Sequence, residues 1–405
     1  MKIDPVELTK KLISFRSITP KDDGAIEYIA KILKKNGFKC EILEFGNSED
    51  KVKSLYAKYT NGVPNLCFAG HVDVAPPGQL KDWVYDPFNP KIRDGILYGR
   101  GAADMKSGVA AFIAAMVNFI IGEFQFNGSI SALITSAEES MEEHGTKAVL
   151  EWMESKQKKM DYCIVAEPTS SERLGDTIKI GRRGSATFKL ICYGKQGHVA
   201  YPELADNPIY KMISILSKIR NTTLDNGNKY FQPSSCEVTT IDVGNSADNL
   251  IPKLIVASFN IRYNDMQTPN NLCKLIDEIC SSITRDYTLS IYNSRGVFLS
   301  TPDKNTNIML DAINKVTSID AKMSTSGGTS DAAFIKNICP VIEFGMVNKT
   351  AHQIDECVLV DDIHKLTAIY KEFIKNYFHF TNKIVNQINV VSNIPDSPLL
   401  AQSIF

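Results

Sequence analysis

Apolar and polar positions alternate in two different ways along this chain. Over the first 180 residues, compact apolar runs that suit buried strands are separated by segments whose apolar positions have helical spacing. This pattern predicts helical structure over residues 4–36, followed by strands and helices in turn. The predicted strands are 39–45, 54–60, 65–74, 128–139 and 161–168, and the predicted helices are 106–120 and 144–155. Such alternation favours an α/β fold with a mixed, largely parallel sheet flanked by helices.

From about residue 181, single apolar and polar residues alternate instead, as in antiparallel strands with one solvated face. Two amphipathic helices, 207–219 and 270–286, accompany these strands. From about residue 296 the first pattern returns, with predicted helices at 305–318 and 361–378 and a strand in "CPVIEFG". The predicted parts are a discontinuous α/β domain formed by 1–180 and 296–380, an inserted two-layer α+β domain at 181–295, and a poorly ordered tail at 381–405.

Composition and charge exclude several classes of protein. A hydrophobic content of 43% and a charged content of 22% over 405 residues are ordinary for a soluble globular protein. The net charge of -1 provides no field that would attract nucleic acid or an anionic membrane. The longest apolar run, Gly108 to Gly122, is too short to span a bilayer and predicts a buried helix. Nine cysteines without a CxxC pair, and an N-terminus that predicts a helix rather than a secretion signal, favour a cytoplasmic location.

Histidines and acids stand at or just after the ends of predicted strands, or just before the apolar helix. These residues are His71, Asp73, Asp104, Glu138, Glu139, Glu167 and His352. Each alone has an ordinary explanation, such as a surface histidine or the cap of a helix. Together they are expected to share one edge of the sheet, where closely packed carboxylates are unfavourable unless cations hold them. Two histidines with at least three carboxylates suit a pair of divalent ions, and zinc is the favoured metal.

Spacing within this set predicts different roles for neighbouring residues. His71 and Asp73 are two apart on a strand and face the same way, so the Asp73 carboxylate is expected to accept the second ring N–H of His71. The adjacent Glu138 and Glu139 point in different directions. One of the two can bind metal while the other stays free to carry a proton.

Seven motifs in order resemble those of the dinuclear zinc amidohydrolases and peptidases, a family that includes acetylornithine deacetylase and carboxypeptidase-like enzymes. The motifs are "GHVDVAPPG", "GRGAADMKSG", "SAEES", "AEPTS", "GHVAYP", "GGTSDAAF" and "NKTAHQIDECV". The resemblance extends from about residue 2 to about residue 380. It implies a zinc-peptidase-like catalytic domain, an inserted dimerisation domain, and hydrolysis of an amide in a small molecule.

The resemblance also implies specific residue roles. The metal ligands of two Zn²⁺ ions, of which the second is replaceable by Co²⁺ or Mn²⁺, would be His71, Asp104, Glu139, Glu167 and His352. Asp104 would bridge the ions and precede a cis peptide bond to Met105. Glu138 would be the general base and Asp73 the partner of His71. In a homodimer, His198 of one subunit would reach the site of its partner and stabilise the oxyanion.

Substrate recognition is expected to depend on the segment "GRRGS", which acetylornithine deacetylases lack. Arginine can bind a carboxylate with two parallel hydrogen bonds, which suits a substrate with several carboxylates. The candidate substrate-binding residues are Arg182, Arg183, Ser185, Asn249, Arg262, Gly328, Thr329 and Asn348.

The chain departs from the family pattern at Ala137, where a polar residue is usual, at Asp248, where asparagine is common, and at Ala333, where arginine is frequent. These departures leave the metal ligands unchanged and affect the expected substrate contacts. An acetylornithine deacetylase or a di- or carboxypeptidase remains an alternative on the same site. A binding protein with a vestigial site and a phosphatase or nuclease are further alternatives of other classes.

Overall fold

The computed structural model describes residues 2–47, 51–122, 126–140 and 142–392. Its helices are α1 Pro5–Ile13, α2 Ala25–Lys35, α3 Ser107–Ile121, α4 Thr146–Ser155, α5 Pro208–Arg220, α6 Pro269–Ser281, α7 Lys304–Thr317, α8 Ala332–Ile335 and α9 Val360–Ser392. Its strands are β1 Lys39–Phe45, β2 Val52–Tyr59, β3 Asn65–His71, β4 Lys91–Arg93, β5 Ile96–Tyr98, β6 Ser129–Thr135, β7 Tyr162–Val165, β8 Thr177–Lys179, β9 Gly181–Arg182, β10 Gly184–Tyr193, β11 Gly197–His198, β12 Ser235–Asp242, β13 Leu250–Ile251, β14 Leu254–Tyr263, β15 Tyr287–Arg295, β16 Phe298–Leu299, β17 Lys322–Ser324, β18 Val341–Glu343 and β19 Cys357–Leu359.

The chain divides into two compact units. The first contains the described residues of 1–178, 302–322 and 338–392, and the second contains residues 179–301 and 323–337. The sequence pattern assigned 323–337 to the α/β domain instead. This segment belongs to the second unit because Ile180 N–H donates to the Ser324 carbonyl at 3.0 Å and the Arg182 guanidinium donates to the Gly328 carbonyl at 3.0 Å. These long-range hydrogen bonds leave no trace in local sequence periodicity.

The main sheet of the first unit confirms the predicted α/β fold class. Its strand order is β1-β2-β6-β3-β7-β18-β8-β17. β3 pairs in parallel with β6 and β7, and β18 pairs in parallel with β7. β1 and β2 are antiparallel, as are β2 and β6, so the sheet is mixed with a parallel centre. Every residue of β3 and of β6 is buried, which agrees with their largely apolar or small side chains.

Helix α3 is the core helix of this unit and packs against α1, α9 and β3. The apolar stretch Ala102–Ile121 is long and apolar enough to cross a membrane by length and composition, and 78% of its most apolar window is buried inside the protein. Burial on this scale is typical of the core helix of a folded domain. It agrees with the buried helix expected from the sequence.

Two sequence predictions about helices are wrong in detail. The helical region 4–36 is two helices, α1 and α2, because Pro20 has no backbone N–H to donate within a helix and Gly24 has φ +89°. The predicted tail does not begin at 381, since α9 continues to Ser392. The remainder of that predicted tail, 393–405, lies outside the described residues.

The second unit is a two-layer α+β structure. Its four-stranded antiparallel sheet has the order β12-β14-β10-β15. Helices α5 and α6 contribute apolar residues such as Met212 and Ile276 to one core with Phe188 and Phe259, whose stacked rings are 5.2 Å apart. Since strand residues alternate between faces, the opposite face of the same strands carries polar side chains.

Candidate metal centre

Parallel pairing brings three strand ends to one edge of the sheet. β3 ends at His71, whose register partner on β6 is Thr135, and Glu138 and Glu139 follow shortly after β6. β7 lies on the other side of β3 and is followed by Glu167. The edge formed by the carboxyl ends of these strands therefore holds a histidine and the expected acids.

Two groups of possible metal ligands share Asp104. One group is His71, Asp104 and Glu167, and the other is Asp104, Glu139 and His352; in each group the ligand atoms lie within 4.8 Å of one another. The Nε2 atom of His71 lies 3.2 Å from Oδ1 of Asp104 and 3.7 Å from Oε1 of Glu167. The Nε2 atom of His352 lies 3.4 Å from Oδ2 of Asp104 and 2.7 Å from Oε1 of Glu139. Each oxygen of Asp104 thus faces a different histidine, as a bridging carboxylate requires.

The residues at this site fit a pair of divalent cations. The Oδ1 atom of Asp104 is buried and makes no hydrogen bond, which is unfavourable for a charged oxygen unless a cation contacts it. Imidazole nitrogens and carboxylate oxygens are the donors that zinc accepts in catalytic sites. Glu138 lies at the edge of the same centre, since it forms a third group of close ligand atoms with His71 and Glu139.

Electrostatics in the metal-free site follow from this crowding. Burial lowers the pKa of His71, but the close carboxylate of Asp104 and the charges of Asp73 and Glu167 outweigh burial and raise it well above its ordinary value. Hydrogen bonds to Asp104 and Glu139 raise the pKa of His352 to about 10. Burial raises the pKa of Asp104, yet the two histidines hold it well below its ordinary value. Without metal, protonated histidines therefore supply the positive charge that the carboxylates need.

Asp73 differs from the sequence prediction in one respect. The Nδ1 atom of His71 is 2.9 Å from the backbone carbonyl of Asp73, whereas the nearer carboxylate oxygen is 3.7 Å away. That carboxylate accepts the backbone N–H groups of Glu138 at 3.3 Å and Glu139 at 3.1 Å. The expected ring-to-carboxylate hydrogen bond was wrong, since Nδ1 of His71 faces the main-chain carbonyl of Asp73 and the carboxylate is directed to the two backbone N–H groups.

The loop that carries Asp104 contains further functional features. The peptide bond between Asp104 and Met105 is cis, as the family resemblance implied. Below this loop lies a buried ion pair of Arg100 and Glu356, with 2.8 Å between Nη1 and Oε2. Sequence reasoning missed both residues. Glu356 stands in the motif "HQIDECV", but nothing local distinguishes its carboxylate from that of an ordinary surface acid.

Some of the candidate substrate-binding residues meet on the polar face of the four-stranded sheet. Ser185 of β10 is directly opposite Arg262 of β14 and Arg295 of β15, and Arg262 is opposite Ser235 of β12. Directly opposite residues share a face, so these four side chains form a row across the sheet, here called the arginine–serine row. Arg295 was not predicted from the sequence, because its place in the row depends on strand register.

Two further arginines were predicted, and the structure places them in the same unit. Arg183 donates to Ser235 at 3.3 Å, and Arg182 is buried and donates to the Gly328 carbonyl. Burial lowers the pKa of Arg262, and the positive charges of Arg183 and Arg295 lower it further. Guanidinium groups held together in this way favour binding of an anion.

The last candidates lie in loops and short strands. Thr329 accepts a hydrogen bond from Arg295 at 3.2 Å. His198 is exposed on β11. The next residue, Val199, donates its backbone N–H to the carbonyl of Asn249. These belong to the second unit, whereas Asn348 is an exposed residue of the first unit.

Comparison with known proteins identifies relatives over nearly the whole chain. The family model of peptidase family M20/M25/M40 matches residues 67–376. A protein of Wolbachia pipientis subsp. Culex pipiens (strain wPip) named succinyl-diaminopimelate desuccinylase is 80% identical over 99% of this chain and 100% of its own length. A protein of the same name from Ehrlichia canis (strain Jake) is 55% identical over 94% of this chain and 100% of its own length.

Solved structures agree on the fold. An M20 family metallo-carboxypeptidase of Sulfolobus solfataricus superposes with a TM-score of 0.76 and 17% sequence identity. The match covers 92% of this chain and 99% of that protein. At this identity the likeness concerns the fold alone.

Proposed function

This chain belongs to peptidase family M20/M25/M40 and is a hydrolase, and we propose that it cleaves the amide of N-succinyl-LL-2,6-diaminopimelate. The products are succinate and LL-2,6-diaminopimelate, an intermediate of lysine biosynthesis. The name of the Wolbachia relative, at 80% identity over 99% of the chain, supports this substrate. The observation that carries the proposal is the pair of metal-ligand groups that share Asp104.

The metal ions are proposed to be two Zn²⁺, with Co²⁺ or Mn²⁺ as substitutes at the second position. His71 and Glu167 would hold one ion, Glu139 and His352 the other, and Asp104 both. When bound, such ions lower the pKa of water to about 7 and polarise the amide carbonyl.

Glu138 is the proposed general base. It lies next to the ligand groups, and the Asp73 carboxylate accepts its backbone N–H. Glu138 accepts the proton of the attacking water and delivers it to the nitrogen of the leaving amine. A carboxylate in this role contributes about 10²–10⁴-fold to turnover.

The arginine–serine row is the proposed binding surface for substrate carboxylates. The substrate has three carboxylates and one ammonium group, so guanidinium donors match its charge. Arg262 and Arg295 provide the charge, and Ser185 between them provides a hydroxyl. Arg182, Arg183, Gly328, Thr329, Asn249 and Asn348 are the remaining proposed contacts.

We propose that the enzyme is a homodimer formed through the second unit. The edge strand β12 exposes Val238 and Ile241, and the neighbouring helix α5 exposes Tyr210 and Ile213. An unpaired edge strand with exposed apolar side chains favours association with another copy.

His198 is proposed to act in the active site of the partner subunit. Its Nδ1 atom accepts the backbone N–H of Ala200 at 3.0 Å. In the neutral ring Nε2 therefore carries the proton and can donate it to an oxyanion.

Nine free thiols support a reducing, cytoplasmic location for this dimer.

A direct test compares substrates on the purified, zinc-loaded protein. Initial rates are measured with succinyl-diaminopimelate, N-acetylornithine and a dipeptide, and zinc content is determined in the same samples. We expect kcat/KM to be highest for succinyl-diaminopimelate. Faster turnover of acetylornithine or of the dipeptide would replace the proposed substrate, and absence of hydrolysis with less than one bound zinc per chain would indicate a vestigial site.

A further inference from the structure

The carboxylate of Glu356 is completely buried and binds the backbone of the Asp104 loop. Its Oε1 atom accepts the N–H groups of Ala103 at 2.7 Å and Asp104 at 3.0 Å. Its Oε2 atom accepts the N–H of Gly101 at 2.9 Å and Nη1 of Arg100 at 2.8 Å. One side chain therefore holds three backbone groups of the short segment that ends in the bridging aspartate.

Arg100 extends this connection to the segment that carries His352. It is 2% exposed, and its guanidinium donates to the carbonyl oxygens of His352 at 3.3 Å, Gln353 at 3.2 Å and Pro76 at 3.2 Å. Two of these acceptors lie in the segment that carries His352. His352 has φ +62°, a left-handed conformation that is uncommon for a side-chain-bearing residue and needs support from its surroundings.

We propose that Glu356 and Arg100 are positioning residues that set Asp104 and His352 relative to each other. The two ligands are far apart in sequence, and they provide two of the three donors of the Asp104–Glu139–His352 group. A shift of either backbone would change the distance of 3.4 Å between His352 Nε2 and Asp104 Oδ2. The inference rests on the proposed metal centre and adds residues that do not touch the metal themselves.

The charged groups of Glu356 and Arg100 can hold backbone N–H and carbonyl groups in place, which apolar side chains at these positions could not do. Four donors converge on one carboxylate, so replacement of one oxygen by an amide NH₂ would place a donor against other donors. Lysine at position 100 would keep the charge but could not hold three carbonyl groups and a carboxylate in one plane.

The test compares metal binding by the full-length wild-type protein with metal binding by the Glu356→Gln and Arg100→Lys variants. Zinc affinity at each site is determined by competition with a chelator, and the cobalt-loaded protein is compared by visible absorption. Glu372→Gln is the matched control, because Glu372 is a mostly buried acid of the same unit that pairs with Lys315. Thermal unfolding of each metal-free variant reports folding separately.

We expect Glu356→Gln to lower the affinity for one of the two zinc ions by about 10- to 100-fold and to alter the visible spectrum of the cobalt-loaded protein. It should also lower kcat more than it changes KM. Arg100→Lys should show the same pattern to a smaller degree, and it serves as the test if Glu356→Gln does not fold. Wild-type affinities and cobalt spectrum in folded variants, with a loss of thermal stability like that of Glu372→Gln, would overturn the inference. Failure of the wild-type protein to bind two ions would instead overturn the proposed function.

Discussion

The Nδ1 atom of His71 is 2.9 Å from the backbone carbonyl of Asp73, and the Asp73 carboxylate is directed to the backbone of Glu138 and Glu139. One residue thus orients the histidine through its main chain and the two glutamates through its side chain. Because these roles use different atoms, substitution can separate them.

Asp73→Asn should therefore impair the glutamates more than the histidine. The asparagine NH₂ would oppose one backbone N–H, so we expect kcat to fall by about 10- to 100-fold while zinc is lost to a much smaller extent than in a ligand variant. His71→Ala should instead lose zinc. Turnover and zinc content of the two variants, measured side by side, check this. Loss of zinc from Asp73→Asn to the extent seen in His71→Ala would contradict the assignment.

Glu138→Gln removes the proposed base and keeps the size of the side chain. We expect kcat to fall by about 10²–10⁴-fold with little change in KM, since binding does not depend on proton transfer. Steady-state kinetics on the zinc-loaded variant provide the measurement. Glu143→Gln, an exposed acid nearby in sequence, is the control and should retain wild-type turnover. Near-wild-type turnover in Glu138→Gln would reassign the base.

Arg295→Met tests the arginine–serine row. A hydrogen bond to a charged group is worth about 1.5–3 kcal/mol, so KM for succinyl-diaminopimelate should rise by about 10- to 100-fold while kcat changes little. Arg220→Met removes an exposed arginine at the end of α5 and should leave KM unchanged. An unchanged KM in Arg295→Met would exclude Arg295 from substrate binding.

Zinc binding should become tighter as pH rises from 6 toward the raised pKa of His352, about 10 in the metal-free protein. The ring must lose its proton before Nε2 can bind metal, so one released proton makes affinity rise about tenfold per pH unit. Chelator-buffered zinc titrations at several pH values measure the slope. His352→Asn should lower the slope at this site by about one proton, and a wild-type affinity independent of pH would contradict the prediction.

The raised pKa of His352 also predicts how the stability of the metal-free protein depends on pH. Because the pKa of His352 is raised on folding, its contribution is fully present below the ordinary histidine pKa of about 6.5. It is lost as pH rises through the folded value of about 10. Thermal unfolding from pH 6 to 10 should show this loss without zinc and a smaller one with zinc.

Val238→Lys and Ile241→Lys on the edge strand β12 should produce monomers. Lysine at an edge strand opposes pairing with another chain, so light scattering should report half the mass of the wild type. Zinc content should persist, while turnover should fall by about 10²–10³-fold, as in His198→Ala, if the histidine acts across the interface. Leu80→Lys, an exposed apolar site of the first unit, is the control. If the variant that combines Val238→Lys and Ile241→Lys is still a dimer, the interface lies elsewhere.

The amino-acid sequence alone predicted the α/β fold class, and it indicated that histidines and acids would meet at one edge of the sheet. The sequence of β3 predicts a buried strand because residues 66–70 are all apolar or small, up to the point where His71 ends the strand. Parallel strands then bring Glu138, Glu139 and Glu167 to the same edge without further information. Local pattern and one topological rule were sufficient for these residues.

Tertiary structure alone decided the residues that support the centre and extend the substrate surface. Glu356 accepts a hydrogen bond from Gly101, which is 255 positions away, and Arg295 joins Ser185 only through the register of β10 and β15. The assignment of 323–337 to the second unit has the same origin. Local spacing determines which way a side chain faces on its own strand, but the partner it meets depends on how distant segments pack.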